Sequence, residues 1–345
     1  MGPSVPALGV CGWKGSGKTT LLEKVIPVLR RRGWKVGAVK NDAHGLEIDR
    51  PGKDSDRLFR AGADVLLEGP GEAARRSHRE EAIPLIDRWA EFPSDYDLIL
   101  VEGHKSTLLP KVWLAGQDAA SPPPELSDLL AILPWDGDRL VSFVSLLDEW
   151  IAERWKERPV YGGILVGGRS ERMGAPKRLM EWQGKPVLER ISEAMELHTG
   201  RVVLLGSGTI PRQCGHLTRL PDPPGIEGPM AGLIGAMRWA AGAAWVFVSC
   251  DLPLLRGEAI AWLVEQRRPG RWAILPSVVE KRVEPLFALY EPQTRFLLEQ
   301  MASRGRFAPR RLSEHRSVLS PRPPAELIDS WKNVNSQDDL LELGG

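Results

Sequence analysis

Two glycine-rich loops, each placed between an apolar strand and a helix, constrain the fold of this chain more than any other feature. The first spans residues 12–19 (GWKGSGKT) and the second spans residues 167–177 (GGRSERMGAPK). Glycines let such a loop curl so that its amides point at phosphate oxygens, next to a helix N-terminus that favours anions. The two spacings belong to unrelated nucleotide-handling designs, so we predict two separate nucleotide sites.

Apolar periodicity predicts that the two loops lie in two α/β domains. A chain of 345 residues is long for one core. In the first half, short apolar strands alternate with helices, which predicts a parallel α/β sheet. The predicted strands are 7–11, 36–39, 97–102 and 129–133, and the predicted helices are 18–32 and 144–157. Arg158 and Pro159 then break the helix, so we expect domains at residues 1–157 and 158–345.

The second half repeats the strand-loop-helix pattern without repeating the sequence. Residues 273–278 and 285–290 are predicted to form a late strand pair, and a short final helix should be capped by Ser336. The remaining predicted elements are strands 161–166, 202–205 and 245–249 and helices 187–197 and 230–241. These patterns indicate a fusion of two unlike domains.

Composition excludes several classes of protein. Forty-six Lys and Arg residues against 45 Asp and Glu give a net charge of +1, which argues against coating of nucleic acid or of an anionic membrane. No apolar stretch approaches about 20 residues. Cys11, Cys214 and Cys250 form no C-x-x-C pair, so neither disulfides nor a zinc site is expected. We expect a cytoplasmic protein.

The first loop has the G-x-x-x-x-G-K-[ST] pattern of a P-loop. Lys18 is expected to reach the β- and γ-phosphates, and the Thr19 hydroxyl to bind Mg²⁺. Glu102 follows an apolar strand, where a carboxylate can act on the metal or on water; Asp42 could do the same, and an ordinary loop carboxylate is the alternative for each. The other residues expected to contact nucleotide here are Gly12, Gly15, Ser16, Gly17 and Thr20.

Three further segments, 36–54, 60–64 and 100–105, resemble the MobB family, the GTP-binding adaptor of molybdenum cofactor biosynthesis. The resemblance covers about residues 5–155. His44, Asp49, Lys53 and Asp54 match the family, whereas Asn41 stands where it usually has His. This polar segment either binds an anion or a partner or is an ordered surface loop. The resemblance implies a domain that binds GTP, hydrolyses it slowly at most, and helps to pass cofactor to apo-enzymes.

The second loop is typical of nucleotidyltransferases that attack the α-phosphate of a nucleoside triphosphate. Arg172 and Lys177 supply fixed positive charge for the triphosphate and the departing pyrophosphate. Asp251 follows an apolar strand and could bind Mg²⁺, with a helix-capping aspartate as the alternative. Asp222 is a weaker candidate that could be a turn residue.

The second half resembles the MobA family, molybdenum cofactor guanylyltransferase, over about residues 160–343. The matching segments are 165–177, Asp222, 228–232, 250–254, 284–288 and 333–335. By that resemblance Leu165, Val166, Gly167 and Gly168 hold guanine and sugar, Lys177 grips phosphates, Asp222 helps to hold the nucleotide, Asp251 binds Mg²⁺, and Asn333 and Asn335 contact the pterin. Asparagines of a turn are the alternative for the last two.

Two departures from the MobA pattern qualify this assignment. Val166 replaces a usual alanine. Gly206 and Ser207 replace a usual polar residue, so no nucleotide contact is assigned to Gly206 or Ser207. The pair Gly167-Gly168 favours guanine over cytosine in the family.

The resemblances imply a fold of two three-layer α/β domains, a P-loop NTPase and then a Rossmann-like nucleotidyltransferase with a mixed sheet. They imply GMP transfer from GTP to molybdopterin with Mg²⁺. Expected partners are molybdenum insertion proteins and apo-molybdoenzymes or their chaperones. No binding to nucleic acid or to a membrane is expected, and a homodimer is an open alternative to a monomer. The alternatives are a cytidylyl- or sugar-phosphate nucleotidyltransferase and a non-catalytic, GTP-switched delivery protein.

Overall fold

The computed structural model describes residues 5–40, 50–78, 95–118, 121–167, 179–279 and 282–334. Among these residues, no helix is both long enough and apolar enough to cross a membrane.

The first half forms a five-stranded parallel sheet flanked by helices. The strands of this half are β1 (Ala7–Gly12), β2 (Val36–Lys40), β3 (Val65–Glu68), β4 (Ala73–Arg76), β5 (Leu98–Glu102), β6 (Lys111–Leu114) and β7 (Leu129–Leu133). The helices of this half are α1 (Lys18–Arg31), α2 (Asp54–Arg60) and α3 (Arg139–Glu157). The sheet order is β2-β5-β1-β6-β7, and every pair is parallel. Strands β3 and β4 form a separate antiparallel hairpin. The predicted parallel sheet is confirmed.

Burial explains why the central strands read as unbroken apolar runs. All six residues of β1 are buried, and so are the four apolar residues of β5. Helices α1 and α3 share a core with one face of this sheet, and apolar residues of the other face form a second cluster. Helix α3 begins at Arg139 rather than at the predicted residue 144. The Asp138 side chain accepts a hydrogen bond from the Val141 amide at 3.1 Å and so caps an earlier first turn.

The second half forms a seven-stranded mixed sheet. The strands of this half are β8 (Val160–Leu165), β9 (Glu181–Trp182), β10 (Lys185–Pro186), β11 (Val202–Leu205), β12 (Thr218–Leu220), β13 (Ala244–Ser249), β14 (Ala273–Ile274), β15 (Ser277–Val279), β16 (Arg282–Val283), β17 (Phe287–Tyr290) and β18 (Val318–Leu319). Its helices are α4 (Val187–His198), α5 (Pro229–Trp239), α6 (Gly257–Glu265) and α7 (Thr294–Ser303). The order is β12-β11-β8-β13-β17-β14-β18. Strand β17 runs antiparallel to both neighbours, which confirms the predicted mixed sheet.

The late strand pair exists, but its first member is shorter than predicted. Strand β14 ends at Ile274, and residues 277–279 belong to a separate hairpin, β15 with β16. Pro276 lies between them and has no amide to donate to a sheet, which explains the break.

A buried aspartate joins the two halves. Asp97 precedes β5 and is fully buried; its Oδ2 accepts a hydrogen bond from the Lys35 amide at 2.7 Å. Its Oδ1 accepts hydrogen bonds from the second half, from Trp272 Nε1 at 2.8 Å and from Gln293 Nε2 at 3.4 Å. Burial raises the pKa of the Asp97 carboxyl to about 6. These bonds fix the orientation of one half against the other.

The connection between the halves is anchored by a buried ion-pair cluster. Glu291 is fully buried and accepts hydrogen bonds from Arg158 Nη1 at 2.9 Å and from Arg267 Nε at 2.7 Å. Arg158 lies between α3 and β8, at the junction itself. We propose that the domain boundary falls between residues 157 and 158, since α3 packs in the first core and β8 starts the second sheet.

Candidate functional site

The first loop connects the carboxyl end of β1 to the amino end of α1. A Cβ on Gly12 would lie 2.7 Å from the Leu114 carbonyl oxygen, so the loop passes too close to β6 for a side chain. Gly17 caps α1 with a φ of +83°, a conformation that glycine adopts without strain. Gly15 also has a positive φ, and Ser16 is buried between these glycines. Glycines at these positions allow the tight turn of the loop, and the cradle of backbone amides stays a prediction.

Lys18, Thr19 and Glu102 meet at the mouth of this loop. Lys18 Nζ donates hydrogen bonds to the carbonyl oxygens of Trp13 at 2.8 Å and Gly12 at 3.2 Å. Thr19 Oγ1 donates to Glu102 Oε1 at 2.8 Å, across 83 residues of sequence. Burial lowers the pKa of Lys18, the Glu102 charge opposes this effect, and Lys105 adds to it. The structure thus brings together the three side chains that sequence reasoning proposed separately; Thr20 lies beside them, exposed on α1.

Lys105 is a residue of this site to which sequence reasoning gave no role. Its Nζ lies 3.7 Å from the centroid of the Trp13 ring and 5.4 Å from that of Trp113, so it is held over the loop by cation–π contacts. Trp13 Nε1 donates to the Ser121 carbonyl at 3.3 Å. The signal available in the sequence was the position of Lys105 just after β5, at the same sheet edge as the loop.

Arg139 braces the loop from the other side, and sequence reasoning missed it. Its Nη1 donates to the Ser16 carbonyl at 2.8 Å, and its Nε donates to the Pro134 carbonyl at 2.6 Å. Its Nη2 donates to the Ala115 carbonyl after β6. Burial lowers the pKa of this guanidinium. One side chain therefore ties the loop to the carboxyl ends of β6 and β7.

The polar segment that resembles MobB is only partly described. Asn41, Asp42, His44 and Asp49 lie outside the described residues. Lys53 and Asp54 are exposed at the start of α2, and Asp54 lies 3.7 Å from Arg57. No described contact joins either of them to the first loop.

The second loop leaves the carboxyl end of β8 beside a glycine of the next strand. The amides of Val166 and Gly167 both donate to the Leu205 carbonyl, at 3.0 and 3.2 Å. Gly206 has a φ of +97°, and a Cβ there would lie 2.8 Å from the Gly167 Cα. A glycine at 206 is therefore required by close packing of two backbones. Gly168, Arg172 and Lys177, three further predicted site residues, lie outside the described residues.

Asp222 lies at the same edge of the second sheet. Its Oδ2 would lie 3.6 Å from a Cβ placed on either Gly167 or Gly206, so it borders the base of the loop. The side chain is largely exposed, but partial desolvation of its carboxylate raises its pKa. The structure thus places Asp222 next to Gly167.

Asp251 follows β13, the strand next to β8. Ser249 Oγ donates to Asp251 Oδ1 at 2.6 Å, and the Asp251 carbonyl accepts from the Val334 amide at 3.0 Å. The second bond brings the exposed Asn333 to Asp251, although the two are far apart in sequence; Asn335 lies outside the described residues. Burial raises the pKa of Glu284; the charge of Arg282 opposes this effect and the charge of Asp251 adds to it. Sequence reasoning gave Glu284 no role.

The oxygen donors at the two loops fit Mg²⁺. Magnesium takes one or two protein oxygens and completes its shell with phosphates and water. Thr19 with Glu102 offers such a pair, and Asp251 offers one carboxylate near the second loop. Among the described residues, no group of three or more His, Cys, Asp or Glu could hold a metal ion alone.

Both loops lie at the carboxyl ends of parallel strands, where α/β sheets bind ligands. The fold and the two loops define a two-domain nucleotide-binding protein, a P-loop domain followed by a nucleotidyltransferase domain. Residues 7–135 match the family model of molybdopterin guanine dinucleotide synthesis protein B, MobB, and residues 162–319 match that of the MobA-like NTP transferase domain. The chain belongs to both families, as a fusion of one MobB domain and one MobA-like domain.

Individual relatives match one half each. A molybdopterin-guanine dinucleotide biosynthesis adapter protein of Haemophilus influenzae is 38% identical over 130 residues, which cover 37% of this chain and 73% of the relative. A probable molybdenum cofactor guanylyltransferase of Bacillus licheniformis is 32% identical over 186 residues, 52% of this chain and 94% of the relative. The crystal structure of an Archaeoglobus fulgidus molybdopterin-guanine dinucleotide biosynthesis protein A superposes on 53% of this chain and 95% of its own, at 23% identity and a TM-score of 0.44.

Proposed function

We propose that the second domain transfers GMP from GTP to molybdopterin and so makes molybdopterin guanine dinucleotide and pyrophosphate. Family membership supports a nucleotidyltransferase, and the names of the relatives support guanylyl transfer to molybdenum cofactor. The observation that carries the proposal is the bond from the Val334 amide to the Asp251 carbonyl. It holds the backbone at Val334 against the backbone of Asp251. This supports the proposal, because the residues proposed for the pterin and for the nucleotide would have to lie near each other for a transfer between the two.

The residues of the second domain divide between binding and charge neutralisation. The backbone of Leu165, Val166, Gly167 and Gly168 holds guanine and sugar, Asp222 borders the nucleotide, and Asn333 and Asn335 hold the pterin. Arg172 and Lys177 stabilise the negative charge of the triphosphate and the leaving pyrophosphate. Asp251 would hold Mg²⁺.

The reaction needs no protein base. A terminal phosphate oxygen of molybdopterin forms a bond to the α-phosphorus of GTP, and the bond between that phosphorus and the bridging oxygen of the β-phosphate breaks. Both electrons of the broken bond leave with pyrophosphate. A phosphate monoester is already a competent nucleophile at neutral pH, so catalysis consists of in-line positioning and electrostatics. Bound Mg²⁺ would neutralise charge on the phosphate oxygens.

The first domain is proposed to bind GTP and to act in delivery of the finished cofactor. Lys18, Thr19 and Glu102 form the phosphate end of that site, and Lys105 and Arg139 hold the loop in shape. Slow GTP hydrolysis at most is expected, and the recipients would be molybdenum insertion proteins and apo-molybdoenzymes or their chaperones in the cytoplasm. Whether the chain acts as a homodimer is decided by its mass in solution.

The transferase proposal is tested by pyrophosphate release from GTP, Mg²⁺ and molybdopterin. Lys177→Ala and Asp251→Asn should each lower turnover by about a hundredfold or more, the usual loss of one electrostatic contact to a transition state. The exposed Lys156 and Glu265 provide the controls Lys156→Ala and Glu265→Gln, which should behave as wild type. Near-normal turnover in Lys177→Ala or Asp251→Asn would contradict the site assignment, and release with CTP in preference to GTP would contradict the substrate.

The adaptor proposal is tested on the first loop. Lys18→Ala should abolish magnesium-dependent GTP binding to the first domain while pyrophosphate release by the second domain continues. The readout is transfer of dinucleotide cofactor to an apo-molybdoenzyme, which should fall in this variant. If Lys18→Ala activates the apo-enzyme as well as wild type does, the first domain has no GTP-dependent role in delivery.

A further inference from the structure

A cavity of about 940 Å³ lies between the two domains, away from both glycine loops. The first domain lines it with residues around the start of β1 and before β6, and with the last turns of α3. The second domain lines it with the start of β8, Arg201 before β11, and the segment between α5 and β13. These are the amino ends of the parallel strands, whereas both nucleotide loops are at the carboxyl ends. The cavity is therefore distinct from both predicted nucleotide sites, and it is formed only when the two domains are joined in one chain.

Aromatic rings form one wall of this cavity. Tyr161 and Trp239 line it, with ring centroids 6.4 Å apart. Both pack on the fully buried Trp245, which lies 5.6 Å from Tyr161 and 6.3 Å from Trp239. Trp239 remains 41% exposed although it is a large apolar ring, so part of its surface is accessible to a ligand. Trp150 lines the cavity from the first domain.

The charged residues that line the same cavity are mostly arginines. Four arginines and one glutamate line it, namely Arg154, Arg158, Arg201, Arg238 and Glu157. Arg154 pairs with Glu157, Arg158 with Glu291 and Arg238 with Glu299. Within the part of the chain that the structure describes, Arg201 makes no ion pair.

Arg201 is held over the aromatic wall. Its Cζ lies 5.6 Å from the Trp239 centroid and 6.0 Å from the Tyr161 centroid, and the side chain is exposed. A guanidinium in this position offers a fork of donors to a phosphate while the rings beside it offer a face to a flat heterocycle. The volume matches small-molecule sites, which measure roughly 300–1,000 Å³.

We propose that this interdomain cavity is a third ligand site, which binds a planar heterocycle carrying a phosphate. The ring stacks on Trp239 and the phosphate pairs with Arg201. Guanine nucleotides and pterin phosphates share this chemistry, and the experiment distinguishes them. Because residues of both domains line the cavity, neither domain alone would provide this site.

The test follows Trp239 directly in the full-length chain. Protein labelled with 5-fluorotryptophan is titrated with GMP and, separately, with 6-hydroxymethylpterin phosphate, and Trp239→Phe assigns the ¹⁹F resonance of Trp239. At least one compound should shift this resonance saturably, and the tighter of the two identifies the source of the ligand. Guanosine and 6-hydroxymethylpterin, which lack the phosphate, should bind about tenfold or more weakly than their phosphorylated counterparts.

Two arginine variants separate this site from the others. Arg201→Ala should weaken the titration of Trp239 about tenfold or more, whereas Arg31→Ala, an exposed arginine on α1, should leave it unchanged. Pyrophosphate release by Arg201→Ala should equal that of wild type, because the cavity is at the opposite edge from the transferase loop. The proposal is overturned by the absence of any shift with both compounds, by wild-type binding in Arg201→Ala, by equal binding of the unphosphorylated compounds, or by a parallel loss of transfer.

Discussion

Replacing Gly206 with alanine should deform the second glycine loop without changing any charge. Gly206 has a φ of +97°, and the new Cβ would lie 2.8 Å from the Cα and 2.9 Å from the amide nitrogen of Gly167. Both are backbone atoms, so no side-chain rotation can relieve the overlap. Either the chain at 206 or the start of the nucleotide loop must move.

The free-energy cost of Gly206→Ala has two parts, and a comparison with Gly305→Ala helps to separate them. A left-handed φ costs a non-glycine residue roughly 1–2 kcal/mol. Overlap in a packed region adds roughly 1–3 kcal/mol. Gly305, after α7, has a φ of +67°, and a Cβ there would meet nothing within 4 Å, so Gly305→Ala carries the first cost alone. The difference between the two variants measures the overlap together with the extra cost of the larger φ at Gly206.

Thermal unfolding and the KM for GTP report the two consequences. For a domain of this size about 1 kcal/mol corresponds to about 2–4 °C, so Gly206→Ala should melt at least about 2 °C below Gly305→Ala. If about 1 kcal/mol of strain is relieved by displacing Gly167, the KM for GTP rises about fivefold, whereas Gly305→Ala keeps the wild-type value. Equal melting temperatures and equal KM values in the two variants would refute the argument that Gly206 shapes the loop.

Two further predictions concern the P-loop brace and the domain joint. Arg139→Ala should weaken GTP binding to the first domain about tenfold, because the Ser16 carbonyl loses a charged hydrogen-bond donor. Calorimetry should show that Arg139→Lys does not restore binding, since lysine lacks the several fixed donors of a guanidinium. The control Arg31→Ala should bind GTP as wild type does. The carboxyl of Asp97 has its pKa raised from 3.8 to about 6, so the folded protein binds the proton more tightly and the free energy of unfolding should fall by up to about 3 kcal/mol as pH rises through that window. Urea titrations should show this loss in wild type but not in Asp97→Asn, and an equal slope in both would contradict it.

Strand positions could be predicted wherever a strand is apolar along its whole length. Strands β1, β5 and β13 are of this kind, because each lies inside its sheet and is buried on both faces. Strand β6 was missed since it begins with Lys111. In the structure this lysine is fully buried, and its Nζ donates to the carbonyl oxygens of Leu109 at 2.9 Å and Ser127 at 3.2 Å. Only those tertiary partners make a charged residue acceptable inside the sheet.

The candidate sites divide in the same way. Loop residues such as Gly17 and Lys18 are close in sequence, so their spacing is enough to predict a phosphate cradle. Arg139 could not be found by spacing, because it reaches its site from a distant segment through packing. Arg139 supports Ser16 across 123 residues, and no local pattern encodes that contact.

The sequence by itself predicted two glycine loops of different design, because loop chemistry depends on a few residues at fixed spacing. It also carried the resemblance to MobB and MobA, which the two family models confirm. Tertiary structure alone decided which distant side chains meet those loops and how the domains join. The contacts of Asp97 with Trp272 and of Arg201 with Trp239 depend on the packing of whole sheets and helices, which residue spacing does not specify.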